Sequence, residues 1–398
     1  MKHPALLVTL AALTGCTDTR STTLTPELEA VVDSNTAFAL DLYQRSAAEH
    51  ENLILSPMSI SSVLSMTMAG AAGETAAELG DVLRVDVDEQ DTYHEQFGGL
   101  MQDLDGRFDG YQINIANQLF GTASIPWNDD FITLNEQDYG APLQETDFSN
   151  SEGARRDINR WVKRQTSGMI PELLQPDQLN AATVLVLANA IYFQGDWAEA
   201  FDPDDTQPKD FTTLDGSQSR VDMMHVTADA GYFEDDAVQI GRLPYQGDET
   251  SLFIVLPAAE DGLEEIEKSL TVEQLAAWDA SLTTTEVSVE LPRLTIESRL
   301  DLKATLIDMG MESAFSPDTA DFSGMTEQPL HLDFVVHEAI VEVEEDGTKA
   351  AAATAAGISF STSEVSTPES LVADHPFLFF IRDDLSGAIL FAGRVTAP

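Results

Sequence analysis

Apolar residues recur at helical spacing in the first half of the chain and form nearly unbroken runs in the second. Ile60, Val63, Leu64, Thr67 and Met68 fall at i, i+3, i+4, i+7 and i+8, one face of a helix that begins after Ser56-Pro57. Thr25-Pro26 predicts an earlier helix start, and Leu28, Val31, Val32, Phe38 and Leu42 carry that helix to about Tyr43. Ala69-Gly70-Ala71-Ala72-Gly73 ends the second helix, and residues 74–83 read as a third. Residues 184–193 are almost continuously apolar and β-prone, as in a central strand covered on both faces. Residues 252–256 are similar, while Val287, Val289 and Leu291 alternate with polar residues like a half-buried strand. Residues 335–343, 377–381 and 389–395 supply further strands. There is no linker-like segment and no internal repeat. The pattern therefore predicts one large α+β domain, although a length of 398 residues would suggest two or three domains at roughly 150 residues each.

Residues 348–367 break this pattern. Small and polar, they lie between two strong strands. A loop of this length inside a compact domain is usually functional or disordered. A flexible surface linker and an alanine-rich helix are the other readings of the same residues.

Charge narrows the partners. The chain carries 69 acidic and 20 basic residues, for a net charge of −49. Such a surface repels phosphate backbones and anionic polysaccharides, so neither nucleic acid nor heparin is an expected partner. It also reads as adaptation to high salt, where screening weakens the self-repulsion, and as the surface of a monomer.

Cys16 is the single cysteine, which excludes an intramolecular disulfide. Lys2 and His3, the apolar run 5–13 and then Thr14-Gly15-Cys16 have the form of an export signal, too short to span a membrane as a helix. Leu13-Thr14-Gly15-Cys16 also resembles the bacterial lipoprotein box. That resemblance implies a signal peptide over 1–15, lipidation of Cys16 and export to the bacterial cell envelope, at the outer membrane or cell surface. Residues 16–25 would be a polar tether and 26–398 the folded domain.

Enzyme motifs are missing. The chain has no G-x-S-x-G elbow, H-E-x-x-H, Walker loop or G-x-G-x-x-G, and no two histidines have metal-ligand spacing. No cofactor is implied. His94-Glu95 reads as a solvated face. A Ser-His-Asp set assembled only by folding stays open at this point.

Several segments together resemble the serpin family, from about Thr25 to the C-terminus. They are Asn52-Leu53-Ile54-Leu55-Ser56-Pro57-Met58-Ser59-Ile60, Gly70-Ala71-Ala72-Gly73-Glu74-Thr75, Ile158-Asn159-Arg160-Trp161-Val162 and Leu187-Ala188-Asn189-Ala190-Ile191-Tyr192-Phe193-Gln194-Gly195-Asp196-Trp197. His375-Pro376-Phe377-Leu378-Phe379 and Phe391-Ala392-Gly393-Arg394-Val395 complete the set. The resemblance implies a single domain with three β-sheets, eight or nine helices and an exposed reactive-centre loop at about 347–367. It also implies a suicide-substrate inhibitor of serine endopeptidases, with cysteine endopeptidases as a second class. In that mechanism the cleaved loop inserts into the main sheet and traps the acyl-enzyme. A serpin-fold chaperone or carrier is the alternative reading.

The resemblance assigns roles to residues. The hinge comprises Glu345, Gly347, Thr348, Ala350, Ala351, Ala352, Ala353 and Thr354. Small side chains suit a segment that must slide between packed strands. Lys349 stands where the family usually has an acidic residue. Ser56, Ser59, Asn189 and His337 match a polar cluster under the sheet opening, and Trp197 marks where insertion begins. Counting from Gly347 places the bait bond at Ser361-Thr362, or at Phe360-Ser361 with a one-residue shift. Those residues suit elastase-, subtilisin- or chymotrypsin-like proteases, and no basic residue nearby suits a trypsin-like one.

Overall fold

The structure, a computed structural model, describes residues 24–48, 50–105, 111–348 and 367–398. The chain order begins α1 (Pro26–Ala47), β1 (Leu53–Leu55), α2 (Pro57–Met68), α3 (Gly73–Leu83), α4 (Gln90–Asp105), β2 (Tyr111–Gly121), α5 (Asp129–Asp138), β3 (Leu143–Glu145) and α6 (Ser151–Gln165). It continues with β4 (Leu185–Asp196), β5 (Gln207–Thr212), β6 (Gln218–Glu234), β7 (Val238–Pro244), β8 (Thr250–Pro257), α7 (Leu263–Ser269), α8 (Val272–Ser281), β9 (Thr283–Pro292), β10 (Leu294–Asp301) and α9 (Lys303–Asp308). It ends with β11 (Val336–Val343), β12 (Gly347–Thr348), β13 (Glu369–Val372), β14 (Phe377–Asp383) and β15 (Ile389–Val395). Nine α-helices among the described residues agree with the expected eight or nine.

Local chemistry sets the first helices. Thr25 caps α1, its hydroxyl accepting from Leu28 N–H at 3.2 Å, with Pro26 in the first turn. Ser56 and Pro57 repeat the arrangement for α2, where the Ser56 hydroxyl accepts from Ser59 N–H. Every residue of α2 except Val63 is buried, because the helix lies between the sheets. Its serines survive burial by finding partners, as buried hydroxyls must.

The main sheet has the order β10-β11-β12-β4-β2-β3. β10 and β11 pair antiparallel along their whole length, and so do β2 and β4. The second network runs β1-β15-β14-β8-β7-β6-β9-β13, with β5 on β6. Strand pairing thus joins two of the three sheets that the resemblance implies. The cause is β6: its start pairs with β5, its end with β7, and β9 follows it across the junction. β8, β14 and β15 are buried throughout, as their unbroken apolar runs require.

β4 is covered on both faces, as its composition predicts. On the outer face Val186 and Ala188 join Phe120 of β2 and Ala154, Ile158 and Trp161 of α6 in one buried cluster. On the inner face Ile191 and Phe193 belong to the large core around α2.

Candidate functional site

The site is a gap in the main sheet. Among the described residues no ladder joins β4 directly to β11. The two strands meet only through Gly347 and Thr348 of β12 at one end. Gly347 stands opposite Asp196, while Thr348 stands opposite both Gly195 and Val343. The contact is close enough to require glycine, since a Cβ on Gly347 would lie 2.1 Å from the Gly195 carbonyl oxygen. Away from this junction lies a cavity of about 180 Å³, with Val186, Ala188 and Asn189 on one wall, Val336 and His337 on the other, and Ser59 on the floor.

Aromatic rings build the closed end. Trp197 stacks on Tyr245 with centroids 4.6 Å apart and planes 10° from parallel. The Trp197 indole donates to the Glu344 carbonyl at 2.9 Å, and its backbone N–H donates to Asp346 O at 3.0 Å. The Tyr245 hydroxyl lies 2.7 Å from the Thr348 hydroxyl, and burial pushes the phenol up in pKa. Glu345 is buried and accepts from Thr206 at 2.7 Å and from Arg293 Nε at 3.1 Å, with a second guanidinium bond beside it. Burial opposes ionisation of Glu345, but these hydrogen bonds outweigh it and hold the carboxyl below its ordinary range.

The first turn of α2 grips both borders of the gap. Ser56 N–H donates to Nε2 of His337 on β11 at 3.0 Å, and the Ser56 hydroxyl donates to Leu390 O at 2.7 Å. The Ser59 hydroxyl donates to Oδ1 of Asn189 on β4. Asn189 Nδ2 donates to Asn117 Oδ1 at 2.7 Å, which also accepts from Ser62 at 3.0 Å. Asn117 Nδ2 then donates to Tyr139 O at 2.9 Å. Burial lowers the pKa of His337 to about 4, so the ring is neutral and accepts.

The expected residues Ser56, Ser59, Asn189 and His337 are therefore brought together, but as two pairs on opposite sides of the gap. Glu345, Gly347, Thr348 and Trp197 meet at its closed end. Ala350, Ala351, Ala352, Ala353, Thr354, Phe360, Ser361, Thr362 and Cys16 lie outside the described residues. Asn117, Thr206, Tyr245 and Arg293 were not foreseen. None of them carried a signal: Asn117 lies among the other amide residues of β2, Gln112, Asn114 and Gln118.

One reading is corrected. His94 is not on a solvated face: it is 1% exposed, with Nδ1 2.5 Å from the Tyr139 hydroxyl, and burial lowers its pKa to about 4. Its helix α4 buries Tyr93, Phe97, Leu100, Met101 and Leu104, and His94 shares that face at the spacing i, i+3 and i+7. Among the described residues no group of three His, Cys, Asp or Glu side chains is placed to hold a metal.

Known proteins share this architecture. Human leukocyte elastase inhibitor is 39% identical over 383 residues, covering 93% of this chain and 100% of that protein. Human serpin B3 is 36% identical over 392 residues with the same coverage. The solved structure of human thyroxine-binding globulin with bound thyroxine superposes with a TM-score of 0.84 at 30% identity, covering 94% of this chain and 99% of that one. Uncleaved ovalbumin gives 0.82 at 28% identity, covering 93% and 100%. The family described as serpin (serine protease inhibitor) matches residues 33–398, and the chain belongs to it.

Proposed function

We propose that the chain is a suicide-substrate inhibitor of serine endopeptidases, and that the gap between β4 and β11 receives its cleaved loop. The carrying observation is the two-residue β12. It is antiparallel to both neighbours and already occupies the first position of a missing strand. A protease serine attacks the bait carbonyl, the peptide bond breaks, and the new amine leaves with the C-terminal fragment. The loop stays esterified to the protease and extends β12 down the gap. Thr348 is 2% exposed, so Ala350, Ala352 and Thr354 would share its inward face by strand alternation. About ten new ladder hydrogen bonds at roughly 1 kcal/mol each give on the order of 10 kcal/mol to drag the protease along. The uncut state is then held by kinetics.

The elastase inhibitors among the relatives support an elastase-like target, as does the Ser361-Thr362 bond. The leukocyte elastase inhibitors among the relatives are named as inhibitors rather than enzymes, which supports the same reading as the lack of enzyme motifs. Cys16 and the apolar run before it support a lipid-anchored protein of the bacterial envelope. The acidity supports a salt-adapted monomer without nucleic-acid or heparin partners.

Incubation with pancreatic elastase, chymotrypsin and subtilisin tests this reading. A detergent-resistant complex is expected, with a released peptide beginning at Thr362, or at Ser361 for the shifted bond. Cleavage with turnover and no complex rejects inhibition and leaves the carrier or chaperone reading.

A further inference from the structure

We infer that Arg299 is a positioning residue that ties the covering layer across the gap and so sets how fast a strand can insert. This inference rests on the inhibitor reading above.

The layer over the outer face of the main sheet consists of α6 and the segment 166–184 that leads into β4. Its contacts are asymmetric across the gap. Toward β2 and β4 they are apolar and buried, through Phe120, Val186 and Ala188. Toward β11 the packing is looser, through the half-buried Val336 and Ile340. The polar contacts on that far side converge on Arg299 of β10. One guanidinium nitrogen donates to the Leu173 carbonyl and, at 3.0 Å, to Glu338 Oε2; the other donates to Gln178 at 3.4 Å. Glu338 stands directly opposite Arg299 in the β10–β11 register and is buried. The next residue, Leu174, is fastened to α6 instead: its N–H and carbonyl both bond Asn159, each at 2.8 Å. Leu173 and Leu174 thus form a short strap, with α6 on one side and β10–β11 on the other.

Inserting a strand moves β11 away from β4 by about 4.8 Å, one strand spacing. The buried apolar contacts move α6 with β2 and β4. The strap cannot follow both sides, so the Arg299 contacts to Leu173 and Gln178 must break while the Asn159 clamp holds. They belong to the uncut state and are lost on the path to the inserted one. Interactions absent from a transition state govern kinetic persistence. Arg suits this position because its fork reaches the carboxylate and the strap at once, which a lysine cannot do.

The test compares wild type with R299Q and with R299K, which keeps the charge if the first variant folds poorly. The uncut proteins are heated and the half-time for conversion to a guanidinium-resistant form is recorded. The conversion is expected to run about tenfold faster in R299Q, with R299K in between, as loss of one or two charge-assisted bonds implies. The proteins are then cleaved with pancreatic elastase, and the guanidinium midpoint of the cut form is expected to fall less in the variants than that of the uncut form, because the Arg299–Glu338 pair is common to both forms while the bonds to Leu173 and Gln178 belong to the uncut one. A purely structural role would lower the cut form's midpoint as much as the uncut form's, and that result, or an unchanged conversion rate, overturns the inference. If cleaved wild type gains no guanidinium resistance at all, the inhibitor reading itself fails and takes the tie with it.

Discussion

The hydroxyls of Tyr245 and Thr348 lie 2.7 Å apart, both residues buried at the closed end of the gap. This contact holds Thr348 in the sheet, and on the proposed inhibitor reading it restrains the hinge before any protease has acted. Tyr245→Phe removes it and leaves the stack on Trp197 intact. A neutral hydrogen bond contributes about 1 kcal/mol, so the hinge should leave the sheet roughly fivefold more often. A freed hinge gives the bait loop more reach into a protease cleft. The rate constant for complex formation with elastase should rise by up to about fivefold, measured by progress curves. An unchanged rate would mean that the hydroxyl pair does not restrain the loop.

Thr348→Arg acts in the opposite sense. The side chain would have to fit a buried site closed by Tyr245, where its charge is desolvated. Burying a charge costs several kcal/mol, so insertion should stall at its first residue. The bait bond stays accessible. The variant should be cut at the wild-type position and released, with the substrate share of the reaction rising at least about tenfold on a denaturing gel. Retained complex formation would show that the strand inserts without a small residue seated at position 348.

The fold was legible where one rule dominated. The i, i+3, i+4 spacing marked α2, and the unbroken apolar runs marked β4, β8, β14 and β15. Gly347 and Thr348 were singled out through the family resemblance, and their small size suits the slot they occupy, where a Cβ on the glycine would meet backbone. Contacts across long sequence distances were not legible. Tyr245 and Thr348 are 103 residues apart, and Arg293 and Glu345 are 52 apart, with no periodicity linking either pair. His94 was misread because its polarity was given more weight than the face it shares with Phe97 and Met101. The junction of two sheets through β6 was missed because nothing in its composition marks where it changes partners.

Asn117 is the hub on the β4 side of the gap. Its carboxamide accepts from Asn189 and Ser62 and donates to Tyr139 O. Asn117→Ala leaves the buried Ser62 hydroxyl, the half-buried Asn189 amide and the buried Tyr139 carbonyl each short of a partner. The expected loss is about 2 kcal/mol from the uncut form, seen as a drop of several degrees in its thermal midpoint. Ser62→Ala removes one donor to that hub and leaves the Asn189 bond in place, so it should cost less than half as much. Equal losses in the two variants would deny Asn117 a central role.

Acid should weaken the uncut form through its buried histidines. His337 and His94 both have pKa values lowered by burial to about 4, against about 6.5 when unfolded. Between these values the unfolded chain binds more protons than the folded one, so stability falls as pH drops from about 6.5 to 4. Each histidine would account for roughly 2 to 3 kcal/mol between pH 7 and 4.5. Asp384 works the other way, because burial raises its pKa to about 6 and its contribution is lost as pH rises through that value. His337→Gln separates these effects. A glutamine oxygen can still accept from Ser56 N–H, but it does not titrate. Guanidinium midpoints of the uncut forms should therefore fall less in the variant than in wild type when pH is lowered from 7 to 4.5, by an amount equivalent to roughly 2 kcal/mol. An equal fall in both proteins would remove His337 as a titrating group and assign the loss to His94.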